Sequence, residues 1–226
     1  FGSVHAVEII DQIVEENEVV VLMPLIRGVV GVDYIKSMTI GDVTHFSSSL
    51  RSLIKRHFKL AQRVAFDQRS LVEKIDQLLA DPQVNELYSS VLRHFKTQLR
   101  EIESYPKGPC HGDLTLGNII FVPSSGNSFL IDFLDVFLET PLMDIAKLEQ
   151  DLVHGWSSRY ERAEVKVRSK IFGLHIFSEM APVEKQDERL YGILSTINTI
   201  RILPYCRDEI TREWIKGVVE IQKEFL

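Results

Sequence analysis

Residues 110–136 constrain the fold of this chain more than any other part of the sequence. Two apolar segments, 118–121 and 128–131, are too short for helices, and the turn-forming residues 123–127 separate them. Such a pattern predicts a β-hairpin. Helical periodicity precedes and follows this stretch, so we expect an α+β protein in which the hairpin lies between two helical regions.

Apolar residues at spacings of three and four predict the helices. The first helix starts near Asp42 and carries the apolar face Val43, Phe46, Leu50, Leu53, Ile54 and Phe58. A shorter helix covers residues 71–79, and a third begins at Asp81 and Pro82 and continues to about residue 102. Further helices are expected near residues 142–153, 162–180, 187–203 and 208–225. At the N-terminus, strands over 4–10 and 19–22 flank an acidic turn at 15–18, which predicts another hairpin.

Composition excludes several classes of partner. A chain of 226 residues with 45% hydrophobic and 26% charged residues is typical of a soluble globular protein. The net charge of -6 disfavours a nucleic-acid partner. The apolar runs are shorter than a membrane span, and the two cysteines, Cys110 and Cys206, form no metal-ligand or disulfide pattern. We therefore expect a cytoplasmic protein without a membrane partner; the sequence indicates no particular oligomeric state.

Three polar residues carry the chemical signal. Asp113 is followed five residues later by Asn118, and Asp132 follows after the predicted hairpin. In a kinase catalytic loop an Asp accepts the proton of the substrate hydroxyl, an Asn five residues later binds magnesium, and a later Asp also binds it. Carboxylate and carboxamide oxygens are ligands that magnesium prefers. Each residue alone is typical of a polar turn, but their order favours a phosphoryl-transfer site.

The pattern His-Gly-Asp from His111, with Asn118 and the later Ile-Asp-Phe from Ile131, resembles the catalytic loop of aminoglycoside phosphotransferases, choline kinases and related small-molecule kinases. The resemblance implies a protein-kinase-like fold, mainly the helical C-terminal lobe with a short hairpin from the small lobe. Residues 1–28 would be a remnant of the small lobe and the hinge. Residues 29–226 would form the helical catalytic lobe.

The same resemblance assigns roles to individual residues. Asp113 would be the catalytic base, and Asn118 and Asp132 would hold magnesium. His111 would support the loop, and Asp144, in the Pro-Leu-Met-Asp stretch that begins at residue 141, would brace it. For Asp144, an acid attracted to the dipole at a helix N-terminus is the alternative. The adenine of the nucleotide would meet backbone groups of a hinge formed by Met23, Pro24, Leu25 and Ile26.

These features predict an enzyme, a phosphotransferase that uses magnesium and ATP, or GTP, to phosphorylate a hydroxyl of a small molecule. An aminoglycoside, an amino alcohol or a sugar would be the acceptor. The resemblance implies that family members begin with three further strands and a helix, which together carry a phosphate-covering loop, a Lys and its Glu partner. No Gly-rich loop or Lys-bearing strand precedes Val4. We thus expect the chain to lack most of the N-terminal lobe, and a catalytically incomplete kinase-like binding or regulatory module is the alternative. A metal-dependent phosphoesterase fits less well, because the seven histidines are scattered.

Other polar and aromatic residues have simpler interpretations. Asp135 and Glu139 are expected to face solvent, with a cationic acceptor as the alternative. Arg201 is interpreted as a cation near a helix C-terminus, with contact to an anionic substrate as the alternative. The basic run 51–59, which includes His57, is expected to form a solvated helix face. Three residues are expected to be buried without a chemical role: Cys110, Trp156 and Trp214. For the two tryptophans, a position in the lining of the acceptor pocket is the alternative.

Overall fold

The computed structural model of the protein describes residues 3–15, 18–134, 136–178, 180 and 183–223. Helices dominate, and the strands form one four-stranded and two two-stranded sheets. The predicted α+β class is therefore confirmed. In this described part no helix has the length and apolar character that crossing a membrane requires.

The N-terminal strands differ from the prediction. β1 (Val4–Ala6) pairs in parallel with a later strand, whereas β2 (Asp11–Val14) and β3 (Val19–Leu22) form the antiparallel hairpin. The expected single strand over 4–10 is therefore wrong. A backbone hydrogen bond from Glu15 N to Glu18 O, 2.9 Å long, continues the pairing of Val14 with Val19. β2 and β3 thus pair with each other, and β1 belongs to another sheet.

A second sheet surrounds the predicted hairpin of residues 118–131. β7 (Ile119–Val122) and β8 (Asn127–Leu130) pair antiparallel, as predicted. β1 extends this sheet beside β8, and β4 (Val29–Val30) extends it beside β7, so the strand order is β1-β8-β7-β4. Strands from both sides of residue 28 thus share one sheet, and the division of the chain at that residue stays a prediction.

The helices preceding the hairpin follow the predicted periodicity. After α1 (Gly31–Tyr34), α2 (Ile40–Leu60) begins at a capping box formed by Thr39 and Asp42, and it buries Val43, Phe46, Leu50 and Ile54. α3 (Arg69–Leu79) and α4 (Pro82–Gln98) follow, the latter capped by Asp81. The pairing of β5 (Gln62–Ala65) with β6 (Ser104–Lys107) was not predicted; it joins the two ends of the α3–α4 region.

Four helices follow the hairpin: α5 (Pro141–Leu148), α6 (Ala163–Phe177), α7 (Glu188–Ile200) and α8 (Glu209–Lys223). α5 continues as a π-helix over Glu149–Val153, in which the amide of His154 bonds Glu149 O. All eight residues of α5 are buried. Leu142 and Met143 belong to the apolar core of α3, α4, α7 and α8, while Ile145 and Leu148 belong to the core around α2 and α6. α5 is therefore a fixed element between two cores.

Candidate active site

A buried carboxylate on α5 holds the start of the predicted catalytic loop. Asp144 is fully buried, and its carboxylate accepts hydrogen bonds from the backbone N–H groups of His111 and Gly112, at 2.9 to 3.0 Å. Gly112 has φ 84°, a left-handed conformation that glycine adopts at little cost. A side chain there would also meet Val136 and Leu134 O. The loop can therefore pass this close to Leu134 and Val136 only with glycine at this position.

His111 ties the loop to the end of β8. Its Nδ1 accepts a hydrogen bond from the Asp113 N–H at 3.2 Å, so Nε2 carries the proton and donates to Ile131 O at 2.9 Å. The ring packs against Phe133 with centroids 4.3 Å apart. Burial lowers the pKa of His111 and outweighs the opposing effect of Asp144. The neutral ring thus connects two loops, and a supporting role remains our prediction for it.

Asp113 lies at the surface end of this arrangement. Its side chain is 23% exposed, and its Oδ1 forms an ion pair with Lys147 Nζ at 2.9 Å. Asn118 Nδ2 donates to Asp113 Oδ2 at 3.0 Å and to Asp113 O at 2.9 Å. The carboxylate is therefore held from two sides while part of it stays open to solvent.

Asp132 lies immediately beyond β8 and is exposed. The amide of Ile131 donates to Asn118 O at 3.1 Å, which brings the backbones of Asn118 and Asp132 together. Asp132 has φ 60°, the one left-handed residue other than glycine in the described part of the chain. Such a conformation costs an L-amino acid about 1 to 2 kcal/mol. Its carboxylate accepts no hydrogen bond from any residue that the structure describes.

The donor set suits magnesium. Asn118 directs its amide nitrogen to Asp113, which leaves its carbonyl oxygen as an acceptor, and Asp132 offers an unengaged carboxylate. Magnesium is usually held by one or two protein carboxylates together with substrate phosphates, not by a protein cage. Among residues with described positions, no group of three or more His, Cys, Asp or Glu side chains is arranged so that it could hold a metal ion by itself.

The sequence interpretation missed two residues that contact the loop. Lys147 is 5% exposed and carries the ion pair to Asp113. Asp151, fully buried in the π-helix, accepts hydrogen bonds from Leu116 N at 2.5 Å and Ser157 N at 2.7 Å. Burial raises the pKa of Asp151. The spacing in the sequence could have indicated both residues. Lys147 and Asp151 follow Asp144 by three and seven residues and so share a helix face with it.

His57 is a third missed contact. Its Nδ1 lies 3.2 Å from Asp144 Oδ2. Arg51, in the same basic run, is buried and donates to His175 O. The expectation of a solvated basic face on α2 holds for Lys55, Arg56 and Lys59, which are exposed. It is wrong for Arg51 and His57, because α2 packs there against α6 and α5.

The remaining predicted residues have different surroundings. Residues 23–26 connect β3 to β4 and are largely exposed, with Leu25 at 87%. β4, which follows this segment, pairs with β7, the strand that leaves the predicted catalytic loop. Glu139 is exposed and pairs with Lys107, whereas Asp135 lies outside the described residues. Burial raises the pKa of Cys110 to about 11, so its thiol stays protonated near neutral pH.

Comparison with known proteins identifies the fold. The GDP and kanamycin complex of APH(2")-IIia superposes with a TM-score of 0.58 at 12% identity, over 99% of this chain and 76% of that one. The GDP complex of wild-type aminoglycoside 2'-phosphotransferase-IIIa gives 0.57 at 12% identity, again over 99% and 76%. ADP-bound aminoglycoside phosphotransferase APH(2'')-Ib gives 0.51 at 15% identity, over 99% and 77%. The predicted kinase-like fold is confirmed.

The sequence itself identifies the family. Residues 46–174, more than half of the chain, match the phosphotransferase enzyme family, APH. This chain therefore belongs to that family. The comparison with curated proteins found no match.

Proposed function

We propose that this protein is a magnesium- and ATP-dependent phosphotransferase that phosphorylates a hydroxyl of a small molecule. Membership of the phosphotransferase family supports the class of reaction. The observation that carries the assignment of residues is the connected geometry of Asp113, Asn118 and Asp132: one side-chain hydrogen bond joins the first two, and one backbone hydrogen bond brings the third beside them.

In this proposal Asp113 is the general base. It takes the proton of the acceptor hydroxyl as the oxygen attacks the γ-phosphorus. Lys147 and Asn118 fix the orientation of the carboxylate, since each contacts one of its two oxygens. Asp144 and His111 fix the loop on which Asp113 lies. Positioning of this kind supplies much of the rate of phosphoryl transfer.

Asn118 and Asp132 would hold the magnesium ion, which when bound would neutralise charge on the phosphate oxygens. The strained backbone of Asp132 supports this role, because left-handed residues other than glycine concentrate at functional sites. The exposed hinge of residues 23–26 is proposed to receive the adenine. Solved structures of the same fold contain GDP or ADP, which supports a nucleotide partner and keeps GTP as an alternative donor.

The test is transfer of the labelled γ-phosphate from ATP to a panel of aminoglycosides, amino alcohols and sugars. We expect Asp113→Asn to lower kcat by about 10²- to 10⁴-fold, the usual contribution of a general base. Asp132→Asn is expected to abolish the dependence on magnesium together with most of the activity. Asp76→Asn, at an exposed carboxylate of α3 paired with Lys96, is the matched control and should retain full activity.

Two outcomes would reject the proposal. Full activity in Asp113→Asn would show that Asp113 is not the general base. Nucleotide binding without transfer to any acceptor but water would favour a kinase-like binding module.

A further inference from the structure

A cavity of about 530 Å³ opens beside Asp113 on the helical side of the site. Its walls come from α3, α5, the segment after α7 and the start of α8. Neither Asn118, Asp132 nor the hinge segment 23–26 lines it. We call this cavity the basic cleft, because its wall includes the cations Lys74, Lys147, Arg159, Arg201 and Arg207.

The charge of the basic cleft is opposite to that of the whole protein. Five cations line it against two carboxylates, Asp113 and Asp208, whereas the chain as a whole has a net charge of -6. Both carboxylates are engaged. Asp113 pairs with Lys147, and Asp208 accepts hydrogen bonds from Tyr160 and Thr211. The cleft therefore has an excess of positive charge.

Two of the cations have no ion-pair partner among the described residues. Lys74 on α3 and Arg201 at the end of α7 are partly buried, and no carboxylate of the described chain lies within 4.0 Å of either. Burial and the charge of Arg201 lower the pKa of Lys74, and burial lowers the pKa of Arg201 against the opposing charge of Asp113. Two like charges that are partly removed from water repel each other, and an anion bound at both would offset that repulsion.

The other cations have partners that explain their positions. Lys147 is held by Asp113, and Arg159 lies over the Trp156 ring at 3.7 Å while it bonds Trp156 O and Thr211. Trp156 thus lines the cleft, as its alternative interpretation had it, but a guanidinium covers its ring. Lys74 and Arg201, with exposed Arg207 at the mouth, are the cations left to contact a ligand.

We infer that the acceptor is an anionic alcohol, a hydroxyl compound with a phosphate or carboxylate group that binds Lys74 and Arg201 while its hydroxyl faces Asp113. The inference rests on the proposed function, because it takes Asp113 as the base. A guanidinium binds carboxylate or phosphate oxygens in a paired geometry, and a cavity of this size holds a ligand of one or two sugar units. A cationic acceptor would meet repulsion here.

The reaction balances without a further reactant. The acceptor oxygen forms a bond to the γ-phosphorus of ATP, and the bond from that phosphorus to the β,γ-bridging oxygen breaks. ADP leaves with the electron pair, and Asp113 takes the hydroxyl proton. Lys74 and Arg201 do not take part in these bonds; they position the acceptor by its anionic group.

Anion binding tests the inference without activity. The full chain is titrated calorimetrically with inorganic phosphate, and separately with acetate, in the presence of magnesium ADP so that the nucleotide side is occupied. We expect wild type to bind at least one anion and Lys74→Met or Arg201→Met to weaken that binding at least tenfold. Arg201→Lys should restore part of it. Arg93→Met, an exposed cation on α4, is the matched control and should bind as wild type does.

Failure of wild type to bind either anion, or equal binding by all variants, would overturn the inference. An acceptor panel in matched charge states, such as glucose, glucosamine, glucuronate and glucose 6-phosphate, gives the second arm. Higher kcat/KM for the anionic sugars, with KM at least tenfold higher in Arg201→Met, supports the inference. Preference for glucosamine would overturn it while leaving the phosphotransferase intact. Transfer to no acceptor would instead count against the proposed function, and the anion titration would still decide the charge of the cleft.

Discussion

Charged side chains on the two sides of Asp113 have opposite surroundings. Behind it, the buried carboxylates Asp144 and Asp151 accept hydrogen bonds from backbone N–H groups of the catalytic loop or its neighbours. In front of it, the basic cleft brings together Lys74 and Arg201, neither of which forms an ion pair with a carboxylate among the described residues. Both arrangements place charge out of water, which is costly unless a partner compensates for it.

The presence or absence of a partner within the protein distinguishes charged side chains that stabilise the fold from those that can bind a ligand. A buried carboxylate with a full set of hydrogen bonds has no capacity left for a substrate, so Asp144 and Asp151 hold the loop. A partly buried cation without a partner has that capacity. Asp113 lies on the boundary, where Lys147 and Asn118 satisfy part of its carboxylate and solvent reaches the rest. Each prediction below challenges this division.

Removal of Asp144 should have the largest effect. Asp144→Ala leaves the buried N–H groups of His111 and Gly112 without an acceptor, and each such group costs about 1 to 3 kcal/mol. We expect the free energy of unfolding to fall by roughly 4 kcal/mol in urea titrations. Asp144→Asn, which keeps one acceptor oxygen, should lose about half as much. A loss below about 1 kcal/mol would show that the carboxylate does not hold the loop.

The pair of Asp113 and Lys147 gives the next largest effect. Asp113→Asn leaves the ammonium of Lys147 buried without an anion, and breaking a buried pair in this way costs about 3 kcal/mol or more. Lys147→Met in the same chain removes the unpaired charge. We therefore expect the double variant to recover much of the stability but none of the phosphotransfer activity. If the two substitutions simply add in urea unfolding, the pair is not coupled.

The sequence predicted the local parts of this structure well. The β7–β8 hairpin and the apolar face of α2 follow from turn residues and periodicity, which neighbouring residues determine. The order of Asp113, Asn118 and Asp132 likewise belongs to one continuous segment. These features depend on sequence distances of a few residues, and local physics is sufficient for them.

Features that depend on packing were missed. β5 and β6 pair only because α3 and α4 fold back on each other, and His57 meets Asp144 only because α2 packs on α5. The basic cleft collects residues from Lys74 to Arg207, so no window of the sequence contains it. Arg201 illustrates the limit: a cation near a helix end has a simple local explanation, and only the fold shows Lys74 beside it.

Lowering the pH should reduce the free energy of unfolding through protonation of His111. Its folded pKa is lowered by burial, so it contributes stability that is fully present above its unfolded pKa, about 6.5, and is lost as the pH falls toward the folded value. One proton changes stability by at most about 1.4 kcal/mol per pH unit. His111→Gln should flatten the dependence of the unfolding free energy on pH below about 6.5. The part of that dependence due to His154, whose pKa burial also lowers, should remain. An unchanged slope would place the titrating group elsewhere.

The smallest effect on stability should come from substitutions of the exposed residue Asp132. Its left-handed backbone, φ 60°, favours glycine, so Asp132→Gly should be more stable than Asp132→Ala by about 1 kcal/mol in urea unfolding. Both variants lose the carboxylate and with it the magnesium-dependent activity. The comparison therefore separates backbone strain from chemistry, because the two variants differ only in a methyl group. Equal stability would mean that the backbone relaxes when the aspartate is removed, and Asp132 would then hold its conformation through its own side chain.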